Sequence, residues 1–216
     1  MPISEEQELL RQEKMKETEK RLFGEGYKYI AGVDEAGRGP LAGPVYAAAV
    51  ILPPDIRLDG INDSKKLSPK KREALFDEIT EKAIAYSIFP VDEKTIDEIN
   101  ILRATYMAMN GAVNSLSPKP DYVIIDGNSI KDMVIPHETI VKGDAKSISI
   151  AAASVLAKVA RDRYITEMSE IYPEYGFEKH KGYGTKEHTD AILKYGASPI
   201  HRKTFLKKLL AGESGE

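Results

Sequence analysis

The sequence predicts an α/β domain: a mixed β-sheet flanked by helices and followed by a helical C-terminal region. Three stretches carry that expectation. Val45–Leu52 (VYAAAVIL) is apolar throughout, as a strand covered on both faces must be. Asp121–Asp126 is a second such strand, reached only after helical segments, which makes it a parallel neighbour of the first strand. Ala145–Met168 is the clearest helix, with Ile148, Ala152, Val155 and Val159 on one face and small residues that permit close packing.

The remaining elements follow in order. Ser4–Phe23 is a charged helix with Ser4 and Gln7 spaced as a capping box. Its apolar positions are sparse, so a mostly solvated helix is expected. Tyr27–Asp34 is the first strand, joined to Pro44–Leu52 by a glycine-rich turn. Ser68-Pro69 supplies a cap and a first-turn proline for a helix to about Lys82. Ala85–Val91 reads as a third strand, and Asp92–Leu116 as helical with a break near Asn100. Glu138–Val141 is a short fifth strand, and Ile171–Leu209 holds shorter helices around the loop Lys179–Thr185. The chain thus divides into a charged N-terminal helix over 1–26, a central unit over 27–170, and a helical region over 171–216 packed on the same domain.

Composition narrows the classes. At 216 residues, 42% hydrophobic and 30% charged, the chain fits a soluble globular domain with a substantial core. No apolar run approaches the roughly 20 residues a spanning helix needs, and Met1 is not followed by a signal-peptide pattern. Without cysteine there is no disulfide, thiolate zinc site or cysteine nucleophile, and a cytoplasmic address is the expectation. The net charge of −3 argues against a nucleic-acid binder, but its distribution reverses that reading. Lys142–Lys208 carries 13 Lys and Arg against 8 Asp and Glu, a basic third beside an acidic remainder. That asymmetry suits a polyanion held near a carboxylate site.

The carboxylates supply the chemistry. Asp34 and Asp126 each end a predicted strand, and sites in open α/β sheets form at such ends. Parallel pairing of the two strands would bring both acids to one edge, with Glu35 beside them. Asp144 precedes the long helix, placed either to cap it or to reach the same edge. Four carboxylates together repel and raise one another's pKa unless a cation neutralises them. Mg²⁺ or Mn²⁺ is the natural counter-ion, and two such ions about 4 Å apart make a phosphodiester-hydrolysis site. The turn Gly37–Gly43 is neither G-x-G-x-x-G nor a G-x-x-x-x-G-K-[ST] loop, and two acids precede it where a bound phosphate would be repelled. The four histidines lack metal-ligand spacing.

Six ordered blocks together resemble bacterial ribonuclease HII: Gly32–Pro44 (GVDEAGRGPLAGP), Asp63–Ser68 (DSKKLS), Asp121–Asn128 (DYVIIDGN), Lys142–Lys158 (KGDAKSISIAAASVLAK), His180–Thr185 (HKGYGT) and His201–Phe205 (HRKTF). The resemblance spans about Tyr29 to Phe205. It implies an RNase H-like sheet over 27–170 and cleavage of the RNA strand in RNA–DNA hybrids. It also implies cutting at single ribonucleotides embedded in duplex DNA, leaving a 3′-hydroxyl and a 5′-phosphate, in ribonucleotide excision repair. Asp34, Glu35, Asp126 and Asp144 match the catalytic, metal-binding carboxylates. The related ribonuclease HIII differs in its glycine turn and carries a long N-terminal substrate-binding domain, so HII is favoured.

On the same resemblance, backbone groups of Gly37, Arg38 and Gly39 reach the ribose 2′-hydroxyl. Tyr183 places its phenol on that hydroxyl and its ring on the next deoxyribose. Lys65, Lys66 and Lys146 are candidate phosphate contacts. Arg161, Arg163 and Arg202 are either phosphate contacts or structural ion pairs. The tail after Phe205 shows no clamp-binding motif, and a monomer is expected. A non-catalytic hybrid-binding module would explain the basic third and Tyr183, but not acids beside a phosphate path. A metal-dependent DNase on a related sheet would not need a 2′-hydroxyl sensor.

Overall fold

The structure, a computed structural model, describes residues 4–211. Residues 1–3 and 212–216, and with them the end of the tail after Phe205, lie outside the described residues. Five strands form one mixed sheet in the order β3-β2-β1-β4-β5: β1 (Ile30–Ala36), β2 (Val45–Ile51), β3 (Ala85–Val91), β4 (Tyr122–Asp126) and β5 (His137–Ile140). β1, β2 and β3 run antiparallel in series, whereas β4 lies parallel to β1 and β5 parallel to β4.

β2 is apolar at every position because helices cover both faces of the sheet. One face packs on α3 (Pro69–Lys82) and α6 (Ile148–Ile171), burying Ala48, Val50, Leu75, Ile79 and Val155. The other packs on α4 (Glu93–Ile99) and α5 (Ile101–Ser115), burying Val33, Ala47, Ala49, Ile96 and Met109. The break between those two helices falls at Asn100, whose φ of 69° ends one while its side chain accepts from Leu102 N and Arg103 N to start the next. The C-terminal helices α7 (Phe177–His180), α8 (Lys186–Tyr195) and α9 (Lys203–Ala211) close a smaller core around Ile165, Tyr175 and Phe177.

Three sequence expectations need correction. The first strand continues past Asp34 to Ala36, so both acids lie within the strand. The long helix starts at Ile148 rather than Ala145, leaving Asp144 on a 3₁₀ turn before it. The N-terminal segment is neither one helix nor mostly solvated. It forms α1 (Glu5–Met15) and α2 (Glu17–Gly24), and Glu8, Gln12, Met15, Glu19 and Leu22 are buried while Leu9 and Leu10 are exposed. Docking here is largely polar, which hydrophobic periodicity does not register. Gln12 accepts from Leu58 N and donates to Asp59, Glu8 accepts from Gly60 N, and Glu19 accepts from Ser147 Oγ and Ser149 N.

Candidate active site

The parallel register builds the site. Ile30 pairs with Tyr122 and Val33 with Ile125, so the next step up each strand sets Asp34 beside Asp126. With side chains alternating along a strand, Asp34 projects on the same face as Gly32, which meets α6. Asp34 is buried, and its Oδ1 accepts from Glu35 N at 2.7 Å. Asp126 Oδ1 accepts from Gly143 N at 2.6 Å, which pins the turn carrying Asp144 to the end of β4. Asp144 is thus anchored at the same edge.

Burial pushes the Asp34 carboxyl well up, and the charges of Glu35 and Asp126 push it further, against a hydrogen bond from Ser154. Glu35 is raised by burial and by Asp126 while Arg38 and Lys65 pull the other way, and the Arg38 guanidinium lies 3.5 Å from its carboxylate. Asp144 is raised by burial, then by Asp63 and Asp126. Burial first, and mutual repulsion after it, disfavour the charged forms of Asp34, Glu35 and Asp144, a cost that a bound cation would offset.

These residues line one cleft of about 450 Å³. It holds Asp34, Glu35, Asp126 and Asp144 together with Gly37, Arg38, Gly39, Lys65 and Tyr183. Lys66 and Lys146 are not among its lining: Lys66 leans toward Asp63, and Lys146 lines a separate groove with Arg11 and Lys14. Among the described residues no group of three or more acids or histidines is arranged as a finished metal cage. The donor set nevertheless fits hard divalent cations. It offers carboxylate oxygens in a cleft open to substrate, and Mg²⁺ is usually held by one or two carboxylates plus water and phosphate rather than by a full protein shell. Asp34, Glu35, Asp126 and Asp144 would hold it.

Several contributors escape sequence reasoning. Ser154 reads as one more small packing residue on α6, yet its hydroxyl lies beside Asp34 and 3.0 Å from the Ser64 hydroxyl. Arg72 and Lys158 also line the cleft, but Arg72 donates to the Ser64 and Leu67 carbonyls and Lys158 pairs with Asp162. Arg163 pairs with Glu73. Arg161 and Arg202 are neither phosphate contacts nor ion pairs: both are fully buried and donate to backbone carbonyls of the glycine turn and its neighbours. Arg161 lies four residues after Ala157 and four before Ile165, both buried, so it shares an apolar helix face. Nothing around Arg202 in the chain signals burial. The surface of the basic third is therefore less positive than its composition suggests.

A chain of buried histidines supports Tyr183. Ser198 N donates to His201 Nδ1, which leaves His201 Nε2–H to donate to His188 Nε2 at 3.0 Å. His188 Nδ1–H in turn donates to the Tyr183 carbonyl at 2.9 Å. Partners fix every tautomer in this relay. Burial pulls both His188 and His201 down to about 4, so the relay is neutral near pH 7.

A mixed sheet with acids gathered where a central parallel pair ends, beside a glycine turn, defines an RNase H-like nuclease. Comparison with known proteins identifies the group more narrowly. A model of the ribonuclease HII family matches residues 31–208. The chain is 60% identical over 194 residues to ribonuclease HII of Caldicellulosiruptor saccharolyticus, covering 90% of this chain and 95% of that protein. It is 59% identical over 205 residues to the Acetivibrio thermocellus enzyme, covering 95% and 80% respectively. Among solved structures, ribonuclease H2 of Pyrococcus horikoshii superposes with a TM-score of 0.75 at 29% identity, over 88% of this chain and all of that one. Ribonuclease HIII solved in complex with Mn²⁺ shares the fold at a TM-score of 0.66 and 19% identity, over 85% of this chain and 69% of that one. The chain belongs to the ribonuclease HII family. It is a metal-dependent endoribonuclease of the ribonuclease H type.

Proposed function

We propose that this enzyme hydrolyses the RNA strand of RNA–DNA hybrids and also cuts at single ribonucleotides embedded in duplex DNA, leaving a 3′-hydroxyl and a 5′-phosphate. The observation that supports this is one cleft shared by Asp34, Glu35, Asp126 and Asp144, the Gly37–Gly39 turn and Tyr183. The acids alone fit any metal-dependent nuclease. The backbone amides of a glycine-flanked turn and a phenol beside them fit a sensor of one sugar hydroxyl, which donates and accepts hydrogen bonds.

In this reading the four carboxylates would hold two divalent ions, Mg²⁺ or Mn²⁺, whose Lewis acidity would activate water and stabilise a leaving oxygen. Asp34 and Asp126 would hold the metal from adjacent strands, their carboxylates fixed by strand pairing and by the hydrogen bonds they accept from Glu35 N and Gly143 N. Glu35 and Asp144 complete the acidic wall. Tyr183 stands 43% exposed, so its ring is free to pack on a sugar and its hydroxyl to meet the 2′-oxygen. Lys65 touches phosphate beside the cleft, whereas Lys66 and Lys146 meet the duplex farther out. The chain works as a monomer in the cytoplasm, its N-terminal helices, sheet and C-terminal helices acting as one unit. Among the described residues no helix is long and apolar enough to cross a membrane.

The test is metal-dependent cleavage of a duplex containing one ribonucleotide, beside all-DNA, all-RNA and hybrid duplexes. The reading requires cutting of the hybrid and at the single ribonucleotide, with no cutting of all-DNA. Binding to hybrids without cleavage in either metal would instead favour a non-catalytic module.

A further inference from the structure

Arg202 is a fully buried guanidinium with no ion-pair partner among the described residues. Glu93 and Asp97 favour its charge only from beyond ion-pair distance. Burial lowers it to about 9, which leaves it a cation at neutral pH. Its donors instead collect carbonyls from one short turn. Nη2 reaches Gly37 O at 2.6 Å, Nη1 reaches Arg38 O at 3.0 Å and Pro40 O at 2.9 Å, and Nε reaches Gly43 O at 2.9 Å. Its own backbone N–H takes Leu41 O at 2.9 Å. Arg161, also fully buried, takes Ala42 O and Pro44 O. Ion pairing is not what these arginines are for: they gather carbonyls.

Aiming carbonyls inward has a consequence for the amides. In a trans peptide unit the C=O and the following N–H point in opposite directions, and both units flanking Arg38 are trans. With Gly37 O and Arg38 O drawn onto Arg202, the N–H groups of Arg38 and Gly39 face away from it. Those residues line the carboxylate cleft, and among the described residues neither amide meets an acceptor. The turn thus carries two adjacent N–H donors toward the substrate side, over two buried positive charges. Such donors cost no reorganisation when an oxygen arrives. Gly37 adopts φ +97°, and an added Cβ there would lie 2.2 Å from Arg161 Nε, so no side chain intrudes between guanidinium and turn.

We propose that Arg202 is a positioning residue for substrate discrimination: it holds the Gly37–Gly39 turn with the Arg38 and Gly39 amides facing the cleft as a paired donor for the ribose 2′-oxygen. This rests on the reading that the turn senses the ribonucleotide. Lysine at this position keeps the charge but concentrates its donors on one atom, which cannot span four carbonyls.

The experiment compares wild type with Arg202→Lys and Arg202→Met in the full chain. Single-turnover cleavage and affinity are measured on a single-ribonucleotide duplex, with affinity for the all-DNA duplex as reference. One misaimed hydrogen bond predicts about a ten-fold loss or more in the ratio of ribonucleotide-duplex to DNA affinity in Arg202→Lys. Mg²⁺ or Mn²⁺ titration should not change, because the carboxylates are untouched. A wild-type enzyme that does not discriminate would overturn the 2′-hydroxyl reading itself. A discriminating wild type with an unchanged ratio in Arg202→Lys would overturn only the role of Arg202. Should both variants fail to fold, the wild type decides. In EDTA, the ¹⁵N amide signals of Arg38 and Gly39 must move more on binding the ribonucleotide duplex than on binding all-DNA, and equal movement refutes the proposal.

Discussion

Gly32 is where sheet and helix come closest, and replacing it with alanine tests whether that closeness positions the acids. A Cβ built there would lie 2.2 Å from Ser149 C and 2.5 Å from Ile150 N. Ordinary contact begins at 3.4 Å, so α6 and β1 would have to part by roughly 1.2 Å, the difference between those two distances. Those atoms are backbone, and the third obstruction, Ser149 Cβ at 2.5 Å, is fixed to that backbone, so no side chain can swing aside. Overpacking typically costs about 1–3 kcal/mol, and this site belongs at the top of that range. At about 2–4 °C per kcal/mol for a chain this long, Gly32→Ala should lose roughly 6–12 °C in Tm by circular dichroism. Cleavage should fall further than stability explains, because Asp34 is two residues along β1 and Ser154 is on the displaced helix. Gly24→Ala is the control: nothing lies within 4 Å of its added Cβ, so it should stay within about 1 kcal/mol of wild type. A Gly32→Ala protein melting within a degree of wild type would refute the close-packing argument.

Asp34→Asn should raise Tm in metal-free buffer, because a buried carboxyl strained by burial and by Glu35 and Asp126 becomes neutral, and it should abolish both the gain in Tm on adding Mn²⁺ and cleavage. A lower metal-free Tm would contradict that electrostatic account. His188 and His201 bind protons more readily unfolded than folded, so stability should rise with pH from about 4 to about 6.5 and level above it. The depression is worth roughly 3 kcal/mol per imidazole, not additive for a hydrogen-bonded pair. Urea unfolding across that range should therefore show a flatter profile in the double variant His188→Gln/His201→Gln, and an unchanged slope would remove the relay from the explanation. On a single-ribonucleotide duplex, Tyr183→Phe should lose the hydroxyl contact and Tyr183→Ala the ring as well, giving graded single-turnover rates with metal titration intact. Wild-type rates in Tyr183→Ala would leave that loop as plain surface. Lys146→Ala should flatten the salt dependence of binding by about one phosphate contact; an unaltered slope would place Lys146 off the duplex path.

Local pattern alone was enough to place five strands in a mixed sheet with Asp34 and Asp126 on a parallel pair. An unbroken apolar run such as Val45–Ile51 has one stable home, a strand covered on both faces, and the strand Tyr122–Asp126, reached after helices, pairs in parallel with β1 as expected, whereas β3, also reached through a helix, pairs antiparallel with β2. Once β1 and β4 pair, the meeting of Asp34 and Asp126 follows from backbone geometry. The tertiary structure decided matters that depend on partners distant in the chain. The N-terminal helices dock through Glu8, Gln12 and Glu19 onto backbone groups of residues 58–60 and of the start of α6, and hydrophobic periodicity is blind to polar docking. It also separated the basic residues of the C-terminal third, sending Arg161 and Arg202 inward to carbonyls and Lys158 and Arg163 to acids. Charge is a property of the residue, whereas burial and hydrogen-bond partners belong to the packed chain. A buried arginine and a phosphate-binding one therefore look alike until the carbonyls around them are in place.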